Sequence, residues 1–295
     1  MTQRFSRLVL LILAVFAPII AFGDVQTKPS APELQDQIRL QRDAAGIITA
    51  LQVAITHFYS VSDKAILVDL VGAVHVGEKG YYDELNRRFK QYDVVLYELI
   101  APPDHDVTKR DNVNPVSLLQ NGLKELLGLR FQLDEINYKA SNFVHADLSP
   151  EDFVKSMQAR GESFSQLFLK LMVEAYLQQM NDPEKAQGSG LLLALSFFSE
   201  NRTVLLKRNL ATQLVDMERT MTALGGNDGS TIITVRNTRA LKVLKEQLAR
   251  GKKKIAIFYG AGHFGDMEQQ LLKTFGLKPQ GQEWLNAWEM PEPKQ

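Results

Sequence analysis

Two histidines follow two apolar runs in the same local wrapping, and that repetition limits what the chain can be. Val68-Asp69-Leu70-Val71-Gly72-Ala73-Val74-His75-Val76-Gly77 parallels Ala256-Ile257-Phe258-Tyr259-Gly260-Ala261-Gly262-His263-Phe264-Gly265. Each is an apolar run, then Gly-Ala-x-His-x-Gly, then an acid and an amphipathic stretch. Short, nearly continuous apolar runs read as strands buried on both faces, which is what a helix-covered parallel sheet requires. Glycines at the strand end let the backbone turn sharply and leave the imidazole unshielded. In open α/β sheets ligands bind at the carboxyl ends of the strands, where both histidines fall.

The rest of the chain is organised around these strands. Leu51 to Ser60 alternates in a strand-like way, Ser62-Asp63-Lys64 makes a turn, and Ala65–Val74 is a buried strand. Gly80–Gln91 is an amphipathic helix, and Asp93–Leu96 begins another strand that ends at Tyr97-Glu98. Strand, helix, strand at this spacing is a βαβ unit with parallel pairing. The middle reads as helices, with Ser149-Pro150 as a helix start and Leu206, Leu210, Leu214, Met217, Met221 and Leu224 as one stripe. After the break Gly225-Gly226-Asn227-Asp228-Gly229, Ser230 caps a helix with Ile233, Asn237, Leu241, Leu244 and Leu248 on one face. Ile255–Tyr259 is a strand and Asp266–Phe275 a closing helix.

At the other end, Arg4 and Arg7 precede an apolar run from Leu8 to Phe22 that closes at Ala21-Phe22-Gly23. A positive start, a short apolar core and a small-x-small site describe a secretory signal. The run falls short of the ~20 residues that span a bilayer, and an uncleaved anchor is the alternative. The expected division is a signal peptide over 1–23, a linker over 24–45, and one α/β domain over 46–285. That domain has a helical middle at about 114–229, and a tail closes the chain over 286–295. Cleavage leaves 32 basic against 34 acidic residues, because the leader removes two of 34 Lys+Arg and none of 34 Asp+Glu. Such a balance advertises no nucleic-acid surface.

Composition narrows the chemistry. With no cysteine, disulfide scaffolds, zinc ribbons and thiol nucleophiles are excluded, and any metal depends on the five histidines and the acids. His75 and His263 share a strand-end setting, and Glu98 ends a neighbouring strand. Two imidazoles and a carboxylate make a sensible divalent-metal triad with positions left for water. A buried His–Glu hydrogen bond without metal is the plain alternative. Asn237 occupies an otherwise apolar stripe, where a polar group needs a partner. Arg236 beside it is suited to a carboxylate or a developing oxyanion. His57 reads as core or rim, His105 as loop, Asp147 beside His145 as a helix-start acid, and Arg208-Asn209 as surface. Gly260–Gly265 spells G-x-G-x-x-G, but a dinucleotide fold needs a further strand and acid that the remaining chain does not offer.

Gly72-Ala73-Val74-His75, Tyr81-Tyr82 and Asp93-Val94-Val95-Leu96-Tyr97-Glu98 together resemble the TraB/Tiki superfamily, which includes GumN-like and PrgY-like proteins. Its paired G-x-x-H motif is matched by Gly72–His75 and Gly260–His263, its strand-end glutamate by Glu98, and its Arg-Asn by Arg236-Asn237. The likeness covers Leu51–Pro103 and Thr231–Lys278. Val74 and Asp266 depart from the residues common at those places. The resemblance implies an α/β fold with a largely parallel central sheet, built from two related halves with a helical insertion between them. Tiki members are described as metal-dependent proteases using the two histidines and the glutamate, whereas the distant erythromycin esterases are thought to work without metal.

The expectation is therefore an exported hydrolase, periplasmic or secreted. It is read as a metal-dependent peptidase acting on peptides or small amide or ester substrates. His75, Glu98 and His263 would hold Mn²⁺ or Co²⁺, with Arg236 neutralising the oxyanion and Arg236 and Asn237 contacting substrate. Its partner is a peptide or small molecule, with no nucleic acid and no membrane span once the leader is cleaved. The alternative is a non-catalytic peptide-binding or sequestering protein using the same pocket.

Overall fold

A computed structural model describes residues 36–102, 126–163, 199, 201–224 and 230–291. The expected leader Met1–Gly23, the loop around His105, the start of the helical middle and the break at 225–229 lie outside them. Among the described residues no helix is long and apolar enough to cross a membrane.

The apolar runs form the expected strands. β3 (Leu67–Ala73) is buried from Val68 onward, β5 (Val94–Tyr97) throughout, and β8 (Lys254–Gly260) from Ile255 to Tyr259. They lie side by side in the order β3, β8, β5, and a short strand β7 (Phe143–His145) comes next to β5, all parallel. An antiparallel wing completes the sheet. β2 (Ile48–Ser60) pairs on one side with β1 (Ile38–Arg42) and β3 and on the other with β9 (Leu277–Glu289). A two-stranded ribbon of β4 (Val76–Gly77) and β6 (Arg130–Phe131) stands apart.

Helices cover both faces. α1 (Lys79–Phe89) buries Tyr81, Tyr82, Leu85 and Phe89 in one apolar layer with Val71, Val95 and Phe258. α4 (Arg202–Leu224) adds Leu206, Ala211 and Val215 to that layer. The opposite layer is made by α5 (Arg236–Ala249) and α6 (Phe264–Thr274), whose Leu241, Leu244, Met267 and Leu271 pack with Leu70 and Ile257. The alternation of Leu70 and Val71 between layers is the period-two geometry of a strand. Two helices in the chain's middle are short: α2 (Gln132–Glu135) and α3 (Pro150–Ala159), the latter capped by Ser149 accepting from Asp152 N as its sequence predicts.

Several expectations need correction. The helical middle contributes β7 to the main sheet and β6 to the ribbon, because three or two residues paired to an existing edge need no periodicity of their own. The linker over 24–45 contains β1, and the tail over 286–295 is entered by β9. The G-x-G-x-x-G segment is therefore succeeded by a strand after all, but an antiparallel one against β2, which does not continue a dinucleotide fold. Along β2, Ala50 to Thr56 are buried without interruption.

Candidate functional site

The register of the sheet decides what meets at its carboxyl edge. Ala73 lies level with Gly260, and Tyr97 is level with both Phe258 and His145. The residues just past these four strand ends are therefore neighbours: His75, His263, Glu98 and Asp147. The backbone of the first motif is fixed from behind by Tyr81, whose hydroxyl donates to Gly72 O at 2.7 Å, and Tyr82, which donates to Val74 O at 2.9 Å. Gly72 is required there, since a Cβ would stand 2.2 Å from Val53 Cγ1.

Arg236 and Asn237 enter from below. Ser230 Oγ accepts from Ile233 N and starts a π turn over Thr231–Val235, which hands over to α5 at Arg236. Insertions of this kind recur where a helix must re-aim side chains at a site. Both side chains are buried, Asn237 completely.

Arg236 is the hub. Its Nε donates to Asp147 Oδ1 at 2.9 Å and its NH2 to Asp147 Oδ2 at 2.6 Å, a bidentate fork. The same NH2 donates to Glu98 Oε1 at 2.6 Å, and NH1 lies 3.4 Å from His263 Nε2. Glu98 Oε2 accepts from Gly260 N at 2.7 Å. Burial alone would raise the Glu98 carboxyl, but Arg236, then His263 and His75, hold it well below the usual glutamate range. Burial would also lower the guanidinium, and Asp147 and Glu98 outweigh it, so Arg236 stays charged.

Asn237 clamps the second histidine. Its Oδ1 meets His263 Nδ1 at 2.6 Å, and its Nδ2 donates to His263 O at 2.9 Å and Asp266 Oδ2 at 2.7 Å. Because Nδ2 faces two acceptors, Oδ1 must be the atom that faces the ring, so His263 carries its proton on Nδ1. His75 is exposed, reaches Glu98 electrostatically, and meets Gln132 Oε1 through Nδ1 at 3.3 Å.

Glu98, His263, Arg236 and Asn237 thus form one bonded cluster, with His75 at its open side. Three readings change. Arg236 does not offer a free fork to substrate, since two carboxylates occupy it. Asp147 is the partner of Arg236, although its Oδ1 also accepts from Leu148 N. Its sequence signal is an acid directly after a short apolar run, the same signal that marks Glu98. Gln132 belongs to no motif. Arg208 is tied to Ile48 O and Met290 O instead of lying free on the surface. His57 sits on β2 against Asp69, which raises its pKa, and His145 bonds Leu99 O.

Whether Mn²⁺ or Co²⁺ suits this pocket depends on those bonds. The donors are right in kind. As arranged, however, the guanidinium of Arg236 is bonded to Glu98 Oε1 and lies beside His263 Nε2, both on residues that would hold an ion. Among the described residues no three His, Asp or Glu side chains converge as a metal-binding group. The donor set fits a dication only if Arg236 withdraws. No family model, curated protein or solved structure matches the chain.

Proposed function

We propose that the chain is an exported hydrolase of the TraB/Tiki kind, its two motif-bearing halves joined by a helical insertion, acting on peptides or small amide or ester substrates. The observation that carries this reading is His75, an exposed imidazole at the carboxyl edge of parallel strands, within electrostatic reach of the part-buried, ionised Glu98. An imidazole at that place can take a proton from water as the water attacks a carbonyl, then return it to the leaving group. Glu98 supplies a fixed negative charge at the same strand edge. Arg236 keeps Glu98 ionised and aimed instead of meeting substrate. The proposed metal, Mn²⁺ or Co²⁺, would be held by His75, Glu98 and His263 and would supply Lewis acidity.

The test is hydrolysis of a quenched-fluorescence peptide library and a set of small esters by the full chain, with added Mn²⁺ or Co²⁺ and with chelator. Turnover that falls by about 10²–10⁴-fold in His75→Ala supports the base. Turnover lost in chelator and restored by the ion supports the metal form, and turnover indifferent to chelator assigns the work to the protein's own groups. Peptide binding with no turnover under any condition would replace the hydrolase with the binding protein.

A further inference from the structure

His75 and His263 are held by one rule applied twice. At His263 one amide residue, Asn237, grips both the backbone carbonyl and Nδ1. At His75 Gln132 meets the same two atoms, its backbone N donating to His75 O at 3.0 Å and its side-chain Oε1 meeting His75 Nδ1 at 3.3 Å. The β4–β6 ribbon produces this, since pairing Val76 with Phe131 and Gly77 with Arg130 brings Gln132 opposite His75. Gln132 is buried, with its Nε2 placed 2.8 Å from Tyr138 OH and its Oε1 toward the ring. Tyr138 is itself packed against Tyr97, the last residue of β5, with ring centroids 5.0 Å apart.

We infer that Gln132 is a positioning residue that fixes His75 as the Nδ1–H tautomer and keeps Nε2 as an unprotonated lone pair. An acceptor at Nδ1 settles the tautomer because neutral imidazole has one proton to place, and placing it on Nδ1 satisfies Oε1. A base with the wrong tautomer cannot accept a proton at the atom facing its target. The amide is the neutral counterpart of the carboxylate that orients the base in hydrolytic triads, and on this chain it comes from a residue outside both histidine motifs.

The role in turnover rests on the hydrolase reading; the tautomer does not, so the two can fail separately. The full chain labelled with ¹⁵N is measured by long-range ¹H–¹⁵N correlation of the imidazoles, with His75 assigned by its absence in His75→Ala. The expected result is a protonated Nδ1 and a bare Nε2 in the wild type. Gln132→Leu releases that preference, and Gln132→Glu, which retains an acceptor, restores it. If the chain hydrolyses a substrate, Gln132→Leu lowers kcat by about 10²-fold with KM little changed. A protonated Nε2 on wild-type His75, the pattern of an amide turned the other way, overturns the inference whatever the activity. So does an unchanged tautomer in a folded Gln132→Leu. A protonated Nδ1 with no turnover overturns the hydrolase reading and supports the clamp.

Discussion

The two histidines of the repeated motif stand at neighbouring strand ends in opposite surroundings. His263 is buried, clamped by Asn237 at 2.6 Å, and backed by Tyr259, with ring centroids 5.2 Å apart in an edge-to-face contact. His75 is exposed and its clamp to Gln132 is longer, 3.3 Å. The same six-residue pattern has produced a fixed wall on one side and an accessible edge on the other. The cause lies in the chain beyond each motif. After His263 the backbone enters α6 directly and is covered by α5, whereas after His75 it forms the short ribbon with β6 and leaves the ring open. A motif can specify a strand end and a histidine there; its degree of burial is set by the neighbours.

Breaking the buried side should have the largest effect. Arg236→Met leaves the buried Asp147 and the part-buried Glu98 without their cation, and removal of one partner from a buried ion pair costs about 3–5 kcal/mol. Denaturant unfolding of the full chain measures it, and a loss under ~1 kcal/mol would show that the hub is solvated. Asn237→Ala should cost less, about 1–3 kcal/mol, because it strands His263 Nδ1–H and a carbonyl, while the Asp266 carboxylate keeps its bond from Gln270.

Acid should reach the site through Glu98. The folded pKa of Glu98 lies below its unfolded value, so its contribution to stability is present above the ordinary glutamate range and lost as pH falls through the depressed value. Glu98→Gln should therefore flatten part of the stability profile below about pH 4.5, where glutamate ordinarily titrates. A profile of the same shape in wild type and variant would remove Glu98 from the acid transition. The smallest effect on folding belongs to the open side. His75→Ala should change stability by only about 0.5 kcal/mol, as for an ordinary surface substitution, while abolishing whatever turnover the wild type shows. A large destabilisation would mean that the ring is structural and the two histidines are alike.

Much of the sheet is legible in the chain because continuous apolar runs as in β3, β5 and β8 have few other uses, and the Ser149 and Ser230 caps are legible from residue type. Strands β6 and β7 are not, since so few residues carry no period. Asp147 reads as a helix-start acid because it stands just before α3, and nothing in the sequence records that Arg236 lies 89 positions away in the chain and in contact in the fold. Gln132 is invisible for the same reason: its partner His75 is 57 positions distant and is reached only through the ribbon.

By itself the sequence determined that two histidines would end two buried strands, that a glutamate would end a third, and that Asn237 on an apolar face would need a partner. Those are local consequences of hydrophobic pattern and residue chemistry. Tertiary structure alone decided that Arg236 would be bonded to Glu98 and Asp147, and that one histidine would be buried and the other exposed. Contacts of that kind depend on the parallel register of β3, β8, β5 and β7, which levels residues far apart in the chain at one sheet edge. Register comes from the packing of whole strands and helices, and no short motif contains it.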